Sequence, residues 1–293
     1  MRFPSLPISL LSIFAFLLLP LSPLCAEPPK AEIRVVSDIA YKSGGALTDY
    51  ETSRCKLDLY LPAAGTKWPA LVWLHGGGIT GGNKDDKSTA AIARTFARAG
   101  IAVAAINYRL SPKATFPAYV EDTAAAFAWV KAHIEEQGGD PAKVFLGGHS
   151  AGAYLSSLVG MDARYLQRFG LAPNTIAGLI PISGQMMTHF AVRKERGTPE
   201  YTIMADEAAP IHYTRKDTPP FLILFGDRDW PARLEENQYF VAIQKAAGNT
   251  RLTLQVIPDR DHGSIAGRIP TPGDPAAEAV IRFVTAPAGG VQD

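Results

Sequence analysis

Short apolar runs alternate with longer stretches of helical periodicity along most of this chain. Runs dense in Val, Ile, Leu and Phe fall at 70–74, 101–106, 144–146, 176–182, 221–225 and 252–257, each short enough for a strand buried on both faces. Between them, apolar positions recur with helical spacing over 88–99, 117–137, 151–161, 233–247 and 275–284. This alternation predicts an α/β fold, a mostly parallel sheet flanked by helices. Two earlier segments, 33–36 and 55–61, read as antiparallel edge strands. Gly138, Gly139 and Pro141 punctuate the chain between the second helix and the strand that follows. The stretch 185–217 has neither pattern and reads as a small cap insertion. No internal repeat or low-complexity tract is visible.

Candidate chemistry gathers at the ends of the predicted strands. Gly148-His149-Ser150-Ala151-Gly152 follows one apolar run and opens a helix, the setting in which G-x-S-x-G becomes a nucleophile elbow. Glycines on both sides suit a turn that strains the serine backbone and brings strand and helix close together. The helix N-terminus favours negative charge developing beside Ser150. His75-Gly76-Gly77-Gly78 follows the strand at 70–74. Acyl transfer passes through an oxyanion that needs preorganised N–H donors. The amides of Gly77 and Gly78 are candidates, with that of Ala151 after the nucleophile. His75 reads as a residue that holds this loop by hydrogen bonding rather than as a base.

A serine needs a base, and the base needs a group that fixes its tautomer. In folds with such an elbow the chain order is serine, acid, histidine. His189 and His212 lie in the patternless stretch, whereas His262 follows the strand at 252–257 and precedes Gly263. His262 is therefore the candidate base. The strand at 221–225 runs into Gly226-Asp227-Arg228-Asp229, and position alone leaves both Asp227 and Asp229 open as the acid.

With these pieces in view the chain resembles an α/β-hydrolase of the HGGG esterase group, close to feruloyl-esterase-like and arylformamidase-like hydrolases. The resemblance spans roughly residues 50 to 285. It includes Lys56-Leu57-Asp58-Leu59-Tyr60-Leu61-Pro62, Asn107-Tyr108-Arg109-Leu110, Asp122 and Gly226-x-x-Asp229. It implies the α/β-hydrolase fold and, since the family's acid closes G-x-x-D, the assignment of Asp229.

The first 26 residues stand apart. Arg2 gives a positive start, residues 8–19 are apolar but short for a bilayer span, Pro20 and Pro23 follow, and Leu24-Cys25-Ala26 offers a cleavage site. The expected organisation is a signal peptide at 1–26 and one domain at 27–293. Export to the periplasm or beyond would follow, with no stable membrane insertion after cleavage. Of the two cysteines, cleavage would leave only Cys55, in a strand-like segment that suggests buried packing. The net charge of +1 comes from interspersed acids and bases, which gives no electrostatic case for nucleic acid. No cysteine spacing suggests zinc.

The expected activity is hydrolysis of carboxylic esters of small molecules through Ser150, His262 and Asp229, a mechanism that calls for no metal or organic cofactor. The exported address favours external compounds, such as feruloyl or acetyl groups on carbohydrates. An arylformamidase-like amide hydrolase is the alternative, and a silent α/β-hydrolase used for binding is the remaining one. Met186, Met187 and Phe190, with Tyr201, Ile203 and Met204, are expected to line an acyl or aryl pocket or to pack the insertion onto the sheet. Arg109 and Asp122 read as a pair that pins a loop to the next helix. Lys84 reads as a solvated loop lysine.

Overall fold

A computed structural model describes Met1, residues 32–199 and residues 201–286. Apart from Met1, the expected signal segment lies outside the described residues. The chain begins with β1 (Ile33–Ala40), α1 (Asp49–Arg54), β2 (Lys56–Pro62), β3 (Trp68–Leu74), α2 (Lys87–Arg98) and β4 (Ala102–Ile106). Then come α3 (Ala118–His133), β5 (Gly139–His149), α4 (Ala151–Met161), α5 (Ala163–Gln167), β6 (Leu179–Ile182) and α6 (Phe190–Glu195). The last elements are β7 (Phe221–Arg228), α7 (Arg233–Ala246), β8 (Leu252–Asp261), α8 (Ser264–Gly267) and α9 (Pro275–Thr285).

The strands form one eight-stranded sheet in the order β1-β2-β4-β3-β5-β6-β7-β8. β2 is antiparallel to both β1 and β4, and every later pairing is parallel. One expectation is corrected here. The 55–61 segment is antiparallel but is no edge: β2 lies between β1 and β4, and its Leu57, Leu59 and Leu61 are buried.

Alternation along β3 shows why both faces are covered. Ala70, Val72 and Leu74 face a core built with α3, α4 and α7, while Leu71 and Trp73 face a second core built with α2 and α9. Ile92 and Phe96, four apart on α2, and Val280 and Val284 on α9 supply the facing apolar stripes. α9 is capped by Asp274, whose carboxylate accepts from the amides of Ala276 and Ala277 at 3.0 Å each. The expected helix over 117–137 gives way after His133 to a short 3-10 turn at Glu135–Gln137 that leads to left-handed Gly138. Among the described residues no helix is long and apolar enough to cross a membrane.

The 185–217 insertion leaves the end of β6, carries α6 and returns to β7. It is tied to the body by polar contacts. The Glu195 carboxylate accepts from the Phe116 amide at 2.9 Å, and Tyr154 donates to the Ala208 carbonyl at 2.7 Å. Cys55 is buried just before β2, and burial lifts its thiol to about 11, as suits a packing cysteine.

Candidate active site

The site sits at the C-terminal ends of the parallel strands, where turns from β5, β7 and β8 converge. Ser150 occupies the turn between β5 and α4 with φ 56° and ψ −115°, a left-handed conformation that costs a non-glycine residue about 1–3 kcal/mol. Its flanking glycines have a measurable reason. A Cβ on Gly148 would lie 2.4 Å from the Leu74 carbonyl oxygen, and one on Gly152 would lie 2.3 Å from the same atom. β3 passes so close that no side chain is admitted at position 148 or 152.

Ser150 Oγ lies 2.8 Å from His262 Nε2, and His262 Nδ1 lies 2.8 Å from Asp229 Oδ1. The structure thus brings together the three residues singled out from the sequence, and it separates the two candidate acids. Asp227 is exposed and accepts from the Arg260 amide at 3.1 Å, pinning β8 to β7. A Cβ on Gly226 would stand 2.2 Å from the Arg260 carbonyl oxygen, so the glycine of G-x-x-D allows the close approach of these strands.

Burial pushes the Asp229 carboxyl upward. Hydrogen bonds from His262 and the Trp230 amide, with Ser183 alongside, outweigh that and hold it below its ordinary range. The Asp229 Oδ2 and Ser183 Oγ atoms are buried without a well-formed partner among the described residues. After His262, Asp261 Oδ1 accepts from the amides of Gly263 and Ser264 at 3.0 and 2.7 Å, which fixes the turn.

The HGGG loop is held by Arg54 at the end of α1 and by Tyr108 in the loop after β4. His75 is 3 % exposed and stacks on Tyr108 at 4.4 Å. Its Nδ1 lies 2.7 Å from the Gly76 carbonyl and its Nε2 lies 3.2 Å from Arg54 Nη2. The consistent tautomer carries its proton on Nδ1 and accepts from Arg54 at Nε2. Arg54 also donates to the carbonyls of Gly82 at 2.7 Å and Tyr108 at 3.0 Å. Gly77 and Gly78 have φ of 106° and 63°. Neither amide donates to another group among the described residues. A Cβ on Gly76 would stand 3.4 Å from the Ser150 Cβ, which places the loop against the elbow. Ala151 is the first residue of α4.

Sequence reasoning missed Arg54, since α1 is too short to show helical periodicity. A capping box was its available signal: Thr48 Oγ1 accepts from the Glu51 amide and Glu51 Oε2 from the Thr48 amide, each at 3.2 Å. It also missed His149, whose Nε2 lies 2.6 Å from the His262 carbonyl oxygen. Trp230, stacked on the His262 ring, was missed as well.

The other candidates divide. Arg109 forms a bidentate pair with Asp122 at 2.8 Å for both bonds and pins the loop after β4 to α3. Lys84 is corrected: it is buried, its Nζ 2.7 Å from Asp58 and 2.9 Å from Asp38. Met186 is fully buried in the core, the packing alternative of the two expected for it. Its neighbour Met187 is partly buried. Phe190 lies over the HGGG loop, where a Cβ on Gly78 would meet its Cζ at 3.0 Å. Tyr201 and Ile203 are exposed, at 90 and 84 %. Among the described residues no three His, Cys, Asp or Glu side chains cluster as a metal site.

Residues 57–174 match the BD-FAE family. The chain is 31% identical over 234 residues to the probable carboxylic ester hydrolase LipM of Mycobacterium tuberculosis, covering 73% of this chain and 54% of that protein. To the esterase LipQ of the same organism it is 30% identical over 77% of this chain and 56% of that one. A hyperthermophilic esterase from the archaeon Pyrobaculum calidifontis superposes with a TM-score of 0.65 at 26% identity, covering 87% of this chain and 85% of the other. The chain belongs to the α/β-hydrolases, in their HGGG esterase group. Within that group, this α/β-hydrolase spans about half the length of the curated relatives it matches. A truncated carbohydrate esterase from gut microbiota shares its fold, with a TM-score of 0.66 at 22% identity.

Proposed function

We propose that the chain hydrolyses carboxylic esters of small molecules through Ser150, His262 and Asp229. The observation that carries this reading is the continuous hydrogen-bonded chain from Ser150 Oγ through His262 to Asp229, with the serine held in a strained turn. His262 takes the serine proton as Oγ attacks the acyl carbon, then returns it to the leaving alcohol. Asp229 fixes the tautomer that leaves Nε2 free to accept and stabilises the imidazolium. The undonated amides of Gly77 and Gly78, with that of Ala151, are assigned to the oxyanion. Water activated by His262 then releases the acid.

The esterase names of the relatives support the ester over the formamide, and an intact triad argues against a silent binding protein. Residues 1–26 are assigned to export, with a periplasmic or secreted product.

A panel of p-nitrophenyl esters, with feruloyl, acetyl-sugar and N-formylkynurenine substrates, tests the reading. Ester turnover that disappears in Ser150→Ala is the expected result. Turnover confined to N-formylkynurenine would transfer the assignment to amide hydrolysis.

A further inference from the structure

The base reaches the site from the rim of the sheet. His262 follows β8, which among the described strands pairs with β7 alone and stands three places from β5. The register between β7 and β8 also shifts between Gly226 and Arg228, just before both strands end. The nucleophile belongs instead to the middle of the sheet. β5 pairs with β3 at Gly148 and with β6 at His149, and the Ser150 amide donates to the Ile182 carbonyl at 2.9 Å. Small displacements of a reacting group cost rate steeply. A base carried by an edge strand therefore needs a further tie to the centre.

His149 makes that tie. Its Nε2 lies 2.6 Å from the His262 carbonyl oxygen, and the two ring centroids stand 5.0 Å apart. A carbonyl only accepts, so Nε2 carries the proton and donates it. Burial, with the charge of His262 adding to it, lowers the His149 ring to about 4 and keeps it neutral at pH 7. The other ring nitrogen faces the oxyanion loop, since a Cβ on Gly76 would stand 3.2 Å from His149 Nδ1 and 3.4 Å from the Ser150 Cβ. One ring on a central strand thus abuts the loop assigned to the oxyanion and bonds the backbone of the base. Asp261 closes the His262 turn from within, through the amides of Gly263 and Ser264. His149 fastens that turn to the centre of the sheet.

We infer that His149 is a positioning residue, whose Nε2–H fixes the His262 backbone against the elbow and the oxyanion loop so that the imidazole meets Ser150 Oγ. The inference rests on the reading of Ser150, His262 and Asp229 as a triad. His149 touches no reacting atom in this role. Its loss is therefore felt in turnover rather than in ester binding. A glutamine at 149 can bring an amide nitrogen near the same point, whereas a phenylalanine keeps the ring and loses the donor.

Kinetics of His149→Phe and His149→Gln on p-nitrophenyl acetate test this. His149→Phe is expected to lower kcat by roughly ten- to a hundredfold while KM stays within about threefold. Fluorophosphonate capture of Ser150 should slow by a similar factor. His149→Gln should bring kcat back to within about fivefold of wild type. The low-field proton NMR signal of His262 Nδ1–H against Asp229 gives a readout independent of turnover. It should be sharp in wild type and His149→Gln, and broadened or lost in His149→Phe. A folded His149→Phe with wild-type kcat and an unchanged signal overturns the inference, and so does an equal loss in both variants. Should His149→Phe not fold, wild type still decides. Nitrogen NMR of isotope-labelled histidine at pH 7, with His149 assigned by its absence from His149→Gln, should find the proton on Nε2. A proton on Nδ1 instead overturns the inference and leaves the triad standing. Wild type that neither turns over the ester nor captures the probe removes the triad reading, and the inference with it.

Discussion

The indole of Trp230 stacks on the imidazole of His262, with ring centroids 3.7 Å apart and planes 15° from parallel. The Trp230 amide donates to Asp229 Oδ1 at 2.6 Å, so the same residue braces the acid and covers the base. An aromatic face attracts a cation by about 0.5–2 kcal/mol, and taking up the serine proton makes the His262 ring a cation. Trp230→Leu is expected to lower kcat by roughly three- to thirtyfold, with partial rescue by Trp230→Phe. Steady-state kinetics on a small neutral ester reads this, and an unchanged kcat would reduce Trp230 to a surface wall.

The two carboxylates of the 226–229 turn are expected to behave oppositely. Asp229→Asn removes the group that sets the His262 tautomer and should cost kcat about 10⁴-fold, the scale established for serine triads. Asp227→Asn touches only the Arg260 amide and should stay within a few-fold of wild type. Paired kinetics on folded variants checks the assignment, which fails if Asp227→Asn is the more damaging.

Much of this site was legible in the chain. Gly148-x-Ser150-x-Gly152, which the close approach of Leu74 imposes, and the three glycines after His75 stand in the sequence next to the residues they serve. Runs such as 221–225 were equally plain, because a strand buried on both faces has no polar alternation to blur it. What stayed hidden depends on contacts far apart in the chain. Arg54 reaches His75 across 21 positions, and His149 reaches the His262 carbonyl across 113. The position of β2 inside the sheet, and the burial of Lys84 against Asp58, are likewise consequences of strand order, which periodicity does not encode.

Lys84 offers a stability test of that hidden layer. The residue is 4 % exposed, its ammonium pairs with Asp58 at 2.7 Å, and its amide donates to Asn107 Oδ1 at the same distance. Lys84→Met leaves a buried carboxylate uncompensated and should cost about 3–5 kcal/mol. Adding Asp58→Asn should recover part of the loss. Urea unfolding of the single and double variants measures both.

Buried histidines set the acid side of the stability profile: His75, His149 and His189, the last pushed well below its ordinary range by burial. Burial, above all, lowers His75 and His149 to about 4, whereas in the unfolded chain they titrate near 6.5. Between those values the unfolded state binds protons that the folded state refuses, so stability rises with pH there and is lost as pH falls from about 6.5 towards 4. Each contributes about 3 kcal/mol across that interval. Urea midpoints from pH 7 to 4.5 should fall accordingly, and His149→Gln should flatten the slope by about one proton. A flat wild-type profile would mean these rings take up protons in the folded state.

Covalent capture of the nucleophile tests the central claim most directly. A fluorophosphonate reacts with a serine whose proton is withdrawn by a histidine and whose developing oxyanion is held, whatever the natural ester is. Peptide mapping by mass spectrometry should find one adduct per chain, on Ser150. The adduct should be absent from Ser150→Ala and form about a thousandfold more slowly in His262→Ala. Failure to label Ser150, or labelling of Ser150 that is equally fast without His262, would contradict the account.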